Sequence, residues 1–342
     1  TDDTGHIMWY AGQRLKSFEI KCALGEGAFG RVLKVKNVRT GQLAALKVIK
    51  NDQDKRKSAI AEITALTMIK CRDDGNKSLC IKMTSWFSFG GHVCIAFPLM
   101  GGSVYDFVRS NNYEPFSISE VRHISQQLCS AVLFLHSNGL IHTDLKPDNI
   151  LLVDSSYRMV FCKERNIAVK RLNYTNIRLS DFGHTIREND SHNQTITTTY
   201  YRPPEVILLL DWTNTCDIWS IGCILIELYI GDLLFPTQRM AEHLAMMEKI
   251  IGPIPKEMTS MSTTSYFKNG KLNWTWMDSP VDVTDRHRVL DEFRLGDRVD
   301  DDDLFDVIRR MLVHDPHQRI TLQDALSLPF YKRQTESQQV RT

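Results

Sequence analysis

An α+β fold of two lobes, a small sheet-rich one followed by a larger helical one, is predicted by a change of periodicity along the chain. Up to about residue 98, apolar residues alternate or gather in short runs between turn residues. Beyond Gly101-Gly102 they recur at helical spacing. In the first part Phe18-Glu19-Ile20 leads into Gly25-Glu26-Gly27-Ala28-Phe29-Gly30-Arg31-Val32, and Leu33-Lys34-Val35 alternates like a half-buried strand. Thr40-Gly41 turns the chain, and Ala44–Ile49 and His92–Phe97 read as further strands. One helix interrupts them, marked by Ile60, Ile63, Leu66 and Ile69 within residues 57–70. In the second part the spacing predicts helices over 118–138, 215–230, 240–251 and 304–313. The apolar run 218–235 is broken by Glu227 and Asp232, so it reads as a buried core helix and not a membrane span. Residues 154–178 carry an alternating Tyr157-Arg158-Met159-Val160-Phe161, which suggests a hairpin. Residues 252–303, with Pro253, Pro255 and Pro280, read as an elaborated loop.

Composition limits the partners. Lys+Arg 42 against Asp+Glu 41 gives no global field to draw nucleic acid or an anionic membrane, so neither is expected as a direct partner. The eight cysteines include no Cys-x-x-Cys pair, which argues against a zinc or disulfide framework and for reduced thiols. No signal peptide is recognisable.

The chemistry-bearing text is His142-Thr143-Asp144-Leu145-Lys146-Pro147-Asp148-Asn149, followed 32 residues after Asn149 by Asp181-Phe182-Gly183. Transfer of a phosphoryl group to a hydroxyl needs a carboxylate to accept the hydroxyl proton, plus an amide and a second carboxylate to hold magnesium. Asp144, Asn149 and Asp181 supply these in the required order. Gly25-x-Gly27-x-x-Gly30-x-Val32 lies between strand-like segments, whereas a dinucleotide fold would start a helix at the third glycine. Here the glycines let a hairpin lie close over phosphates, and Lys47 follows 15 residues after Val32.

Together these motifs resemble a eukaryotic protein kinase, which implies the bilobal kinase fold with ATP and Mg2+ as cofactors. The resemblance places a lead-in segment at 1–17, the kinase domain at 18–331 (lobes about 18–98 and 101–331, inserts 154–178 and 252–303) and a tail at 332–342. It implies that Lys47 contacts the α- and β-phosphates and that Glu62 pairs with it, with Leu66 packing toward Phe182 and His142. Phe97 becomes a bulky gatekeeper, the Pro98 carbonyl and the Met100 N–H meet the adenine, and Val32, Ala45 and Leu151 sandwich it, with Leu24 also on the nucleotide. Pro98 departs from the acidic residue of many relatives, but proline lacks only a donor that this role does not use. Ser103 and Asp106 fall near the ribose, although a helix N-cap explains Ser103 equally well. Asp144 takes the hydroxyl proton, Lys146 neutralises the γ-phosphate, Asn149 and Asp181 ligate magnesium, and Thr198 bonds between Asp144 and Lys146. Glu205 is expected to pair with Arg319, and Asp217 to cap the large central helix and tie it to the catalytic loop.

Within the kinases, Glu242-His243-Leu244-Ala245-Met246-Met247-Glu248-Lys249-Ile250-Ile251-Gly252 resembles the signature helix of the LAMMER (Clk) family of the CMGC group, with Lys249 where arginine is usual. Thr4-Gly5-His6-Ile7 looks like that family's lead-in strand, and Ile141-His142-Thr143, 216–227 and 319–326 are also close. Departures gather in the activation segment, where Thr199 and Tyr200 replace arginine and histidine and Pro203 replaces alanine. The resemblance implies a monomeric nuclear kinase, present also in the cytoplasm, acting on Ser/Arg-rich splicing factors and able to autophosphorylate on tyrosine. Rival readings are a dual-specificity tyrosine-regulated relative, a Ser/Arg-protein kinase and a pseudokinase scaffold. The first shows Tyr-x-Tyr where Tyr200 and Tyr201 are adjacent here, the second lacks the signature helix, and the third would lack one of Lys47, Asp144, Asn149 or Asp181. Thr143 stands where most kinases place the arginine that clamps an activation-segment phosphate, so activity independent of such a phosphate is expected. Asp300–Asp303 reads either as the cap of the helix after it or as a contact for an arginine-rich substrate.

Overall fold

The computed structural model describes residues 1–162, 166–190, 196–273 and 294–333. In the small lobe β1 (Arg14–Leu15), β2 (Phe18–Gly27), β3 (Gly30–Asn37) and β4 (Leu43–Ile49) run antiparallel. After helix α1 (Gln53–Arg72) come β5 (Ser85–Phe89) and β6 (His92–Pro98), and the sheet order is β1-β2-β3-β4-β6-β5. The sequence shows no sign of β5, an edge strand whose Ser-Trp-Phe-Ser-Phe residues all stay partly or fully exposed. Helix α1 starts where the Asp52 carboxylate accepts from the Asp54 and Lys55 N–H groups. It turns Glu62, Ile63, Leu66 and Ile69 inward.

The lead-in residues Thr4–Ile7 are not a strand, contrary to the expectation from resemblance. Asp2 Oδ1 accepts from Thr4 N, Thr4 Oγ1 and His6 N, and this local capture bends the backbone into a turn. Ile7 and Leu15 are nevertheless buried in the small-lobe core with Ile20, Val35 and Leu46.

The large lobe opens with α2 (Val104–Ser110) and α3 (Ile118–Ser137), followed by short strands β7 (Leu140–Ile141) and β8 (Ile150–Leu152). The 154–178 segment forms the expected hairpin from β9 (Tyr157–Cys162) and β10 (Ile167–Leu172). Strand β11 (Ile177–Leu179) pairs with β8, and β12 (Ile186–Arg187) pairs with β7. Beyond α4 (Pro204–Ile207) lies the central helix α5 (Thr215–Ile230), almost wholly buried, as its sequence predicts. Trp219 on it is fully buried and stacks on Phe235 with centroids 6.1 Å apart. Side chains of this size contribute on the order of 2 kcal/mol each when removed from water. Helix α5 stops at Gly231, whose φ of 81° and 2.2 Å clearance from the Tyr113 carbonyl admit no β-carbon.

Helix α6 (Met240–Ile250) carries the signature residues and buries His243, Leu244, Met246 and Met247. The 252–303 segment is more structured than its composition suggests. It holds α7 (Lys256–Met261) and a small hairpin of β13 (Phe267–Lys268) and β14 (Lys271–Leu272); Pro280 lies outside the described residues, as does most of the 332–342 tail. Helices α8 (Asp302–Met311), α9 (Leu322–Ser327) and α10 (Pro329–Lys332) complete the lobe. Asp301 caps α8 by accepting from Leu304 N at 2.9 Å, and Asp303 pairs with Arg333, so these two carboxylates of the 300–303 run serve the fold. Among the described residues no helix is long and apolar enough to cross a membrane, and Cys22, Cys71, Cys80, Cys94, Cys129, Cys216 and Cys223 are free thiols.

Candidate active site

Lys47 is the hub of the cleft between the lobes. It reaches inward from β4, and its Nζ lies 2.9 Å from both Glu62 oxygens and 2.9 Å from Asp181 Oδ1. Strand β4, helix α1 and the Asp181-Phe182-Gly183 turn therefore converge on one ammonium. Burial opposes its charge, but Glu62 and Asp181 outweigh that and raise the lysine pKa. Burial likewise opposes the charged form of Asp181, yet Lys47 holds its pKa down to about 2. Asp181 adopts a left-handed φ of 61°, which turns the carboxylate into the cleft. Phe182 is buried beneath it and meets His142 edge-on at 5.5 Å, in the same core as Leu66.

The catalytic loop is fixed by its own backbone. Asp217, fully buried, accepts from His142 N and Thr143 N at 2.9 Å each and meets His136 Nε2 at 2.9 Å. It sits in the first turn of α5 and does not cap it; Asn214 holds the cap position, because the carboxylate is spent on the loop. His142 Nε2 lies 3.0 Å from the Ser180 carbonyl, and Asp144 N donates to its Nδ1 at 3.3 Å. Asp144 Oδ1 accepts from Thr198 Oγ1 at 2.7 Å and Oδ2 lies 2.9 Å from Lys146 Nζ, which also donates to Thr198 Oγ1 at 3.0 Å. Burial pushes the Asp144 pKa up, but Lys146 and the Thr198 bond together bring it below the usual carboxylate range. The carboxylate is therefore ionised at neutral pH and aimed to orient a hydroxyl and take its proton.

Asn149 donates through Nδ2 to the Asp144 carbonyl at 2.8 Å, which leaves Oδ1 as its ligating atom. With the Asp181 carboxylate it forms a hard-oxygen pair suited to a divalent cation that keeps waters and phosphate oxygens as its other ligands. Among the described residues no group of three or more His, Cys, Asp or Glu could hold a metal unaided.

The nucleotide wall follows from the sheet. Val32 on β3, Ala45 on β4 and Leu151 on β8 are each part-exposed toward the cleft, Met100 likewise, and Phe97 is buried behind them at 8 % exposure. Leu24 is half exposed at the loop entry. A β-carbon on Gly25 or Gly27 would meet no atom within 4 Å, so the loop offers bare backbone to a ligand. Gly30 is glycine for another reason: a β-carbon there would sit 2.1 Å from the Val48 carbonyl of the next strand. Ser103 and Asp106 are spent on each other. Ser103 Oγ donates to Asp106 Oδ2 at 2.7 Å and accepts from Asp106 N, a capping box that starts α2. The N-cap alternative for Ser103 is thus the one the geometry realises, although Asp106 stays exposed.

Glu205 and Arg319 meet as expected, with both side chains at 0 % exposure and N–O distances of 2.9 and 3.0 Å. Sequence reasoning missed an acidic pocket beside Asp144. Asp148, Glu227 and Asp232 line a cavity of about 680 Å³ together with Lys146, Thr198 and Tyr200. Burial raises the Glu227 pKa to about 7 against the hydrogen bond that Tyr201 donates at 2.6 Å. These carboxylates come from the catalytic loop and the end of α5, and nothing in sequence spacing brings them together.

Comparison with known proteins agrees with this geometry. Residues 18–331 match the protein kinase domain family. The Drosophila melanogaster serine/threonine-protein kinase Doa is 46 % identical over 97 % of this chain, which spans 41 % of that protein. The Mus musculus dual specificity protein kinase CLK2 is 43 % identical over 96 % of this chain and 67 % of its own length. A solved kinase domain superposes with a TM-score of 0.89 at 34 % identity, covering 96 % of this chain and all of that one. The chain therefore belongs to the protein kinase family and, within it, to the LAMMER branch of serine/threonine and dual-specificity kinases.

Proposed function

We propose that this kinase uses Mg2+-ATP to phosphorylate serine or threonine flanked by arginine, with Ser/Arg-rich splicing factors as its substrates. The observation that carries the catalytic part is the closed set of contacts joining Asp144, Lys146 and Thr198 on one side and Lys47, Glu62 and Asp181 on the other. Asp144 orients the acceptor hydroxyl and receives its proton, while Lys146 and Lys47 stand where negative charge collects. Asn149 and Asp181 would hold the magnesium, which supplies charge neutralisation on the phosphates. Glu62 keeps Lys47 in place, and the backbone of Gly25 and Gly27 takes the phosphates. The Pro98 carbonyl and Met100 N–H hold the adenine between Val32, Ala45 and Leu151, with Leu24 over it and Phe97 behind. Asp106, exposed at the start of α2, would be the residue of this pair left to meet the ribose.

The arginine preference rests on Asp148, Glu227 and Asp232, a cluster of acids beside the acceptor position in a chain of near-neutral net charge. Arg-Ser peptides are expected to outcompete acidic or proline-directed ones on an array, and the margin should shrink as salt screens the pocket. Glu227 attracts a guanidinium only when ionised. Because its pKa lies near 7, KM for Arg-Ser peptides should fall as pH rises through about 7, and Glu227→Gln should remove that dependence. Equal phosphorylation of arginine-free peptides would sink the preference. Tyr200, which lines the same pocket, and the neighbouring departures at Thr199 and Pro203 favour a second reading as a LAMMER kinase with another substrate. The proposed setting is the nucleus, with a cytoplasmic pool, as a monomer.

Contacts made by Thr143 and Arg202 to the described part of the activation segment support activity that needs no phosphate there. Thr143 Oγ1 donates to the His184 carbonyl at 2.8 Å, and Arg202 donates to the Ile196 and Thr197 carbonyls at 3.0 and 2.7 Å. Phosphatase-treated protein is therefore expected to keep most of its initial rate. A large loss restored by rephosphorylation at Thr197 or Tyr200, or at Thr195 outside the described residues, would overturn this.

A further inference from the structure

We propose that the lead-in residues 2–7, which precede the matched kinase domain, act as a strap that positions the Gly-rich loop through Arg31. The tip half of β2 needs such support. Cys22–Gly27 are all exposed, and the pairing of β2 with β3 is irregular between Ile20 and Cys22 and again between Ala23 and Gly25. Little packing therefore holds the backbone of Gly25 and Gly27.

Arg31, directly opposite Glu26 on β3, supplies a fixed point. Its Nε donates to Glu26 Oε2 at 2.7 Å, its Nη2 to Asp2 Oδ2 at 3.2 Å and its Nη1 to the Ile7 carbonyl at 2.6 Å. One guanidinium fork thus joins the residue between the two loop glycines to two points of the lead-in segment. The far side is anchored. Ile7 is buried in the small-lobe core, and the Gly5 carbonyl accepts from Asn51 N at 2.8 Å. Asp2 is locked in its turn by the Thr4 and His6 bonds, and the Thr4 hydroxyl leads in keeping its pKa at about 2. His6, 4 % exposed, places Nε2 3.5 Å from Glu26 Oε1. Between segment and loop lies a cavity of about 500 Å³ lined by Asp2, Met8, Trp9, Gly25, Glu26 and Arg31, so the link is made by polar contacts and not by close packing.

A strap of this kind acts on nucleotide affinity and leaves the acceptor side untouched. Asp2 and Arg31 are positioning residues, since neither reaches Asp144 or the cleft. The inference rests on the nucleotide role of the Gly-rich loop. Asp2→Asn is nearly isosteric at a part-exposed site, and the fold should tolerate it. It is expected to raise KM for ATP roughly threefold, with kcat and KM for peptide unchanged, the size of one part-exposed charge pair. Arg31→Gln, which loses all three acceptors, should raise it roughly tenfold. The double variant should match Arg31→Gln alone, because both changes break one network. Arg31→Lys, keeping the charge but not the fork, should fall between the wild type and Arg31→Gln. Unchanged KM for ATP in Asp2→Asn and Arg31→Gln, strictly additive effects, or a lowered Tm without a KM change would each overturn the strap. Loss of the nucleotide role itself would look different, because the wild type would then fail to saturate with ATP.

Discussion

Asp144→Asn is expected to lower kcat by roughly 10²- to 10⁴-fold while nucleotide affinity stays close to that of the wild type. The amide keeps the shape and its one oxygen can still accept from Thr198 or Lys146, but it cannot take a proton. Nothing on the nucleotide side changes, since Lys47 keeps Glu62 and Asp181 as partners. An interaction made chiefly in the transition state appears in kcat and not in binding. Steady-state kinetics alongside nucleotide titration checks this. Turnover retained within a few-fold would mean that Asp144 is not the proton acceptor.

The largest expected effect on stability is at Arg319. Its guanidinium, at zero side-chain exposure, pairs with the equally buried Glu205, donates to the Val313, Thr215 and His314 carbonyls, and lies 5.2 Å over the Trp219 ring. Arg319→Met leaves Glu205 as a buried charge without its partner and should cost about 3–5 kcal/mol. At roughly 2–4 °C per kcal/mol for a large domain, Tm should drop by about 10 °C. Adding Glu205→Gln removes the orphaned charge, so the double variant should melt above Arg319→Met alone. A Tm loss of only a degree or two in the single variant would show that the pair contributes little.

Chemistry written in contiguous residues is legible in the amino-acid sequence itself. The helices at 118–137 and 215–230 follow from 3.6-residue spacing, and the 157–172 hairpin from alternation. His142–Asn149 and Asp181 reach one cleft because β8, which follows Asn149, pairs with β11, which precedes Asp181, while Asp217 holds the backbone at His142 and Thr143. Short elements carry too little pattern. Helix α2 has seven residues, and its cap Ser103 looks as much like a ribose contact as a helix start. The expected lead-in strand does not form because the single Asp2 side chain outcompetes an extended backbone. The pocket of Asp148, Glu227 and Asp232 is invisible in the sequence for a different reason. Asp148 lies about 80 residues before Glu227 and Asp232, and they meet only once α5 has been threaded beneath the catalytic loop. Within Asp300–Asp303, the acidic run that spacing makes conspicuous, Asp301 supplies a helix cap and Asp303 a partner for Arg333.

One constellation, on the proposed reading, transfers the γ-phosphate of ATP to a hydroxyl beside arginine. Its most direct test incubates phosphatase-treated protein with Mg2+, γ-labelled ATP and paired serine peptides, identical except that arginine flanks the serine in one and alanine in the other. Label is expected on the serine of the arginine peptide, at a rate that falls with salt and is lost in Asp144→Asn. Absence of label on both peptides would contradict the catalytic assignment, and equal label on both would contradict the role of the acidic pocket.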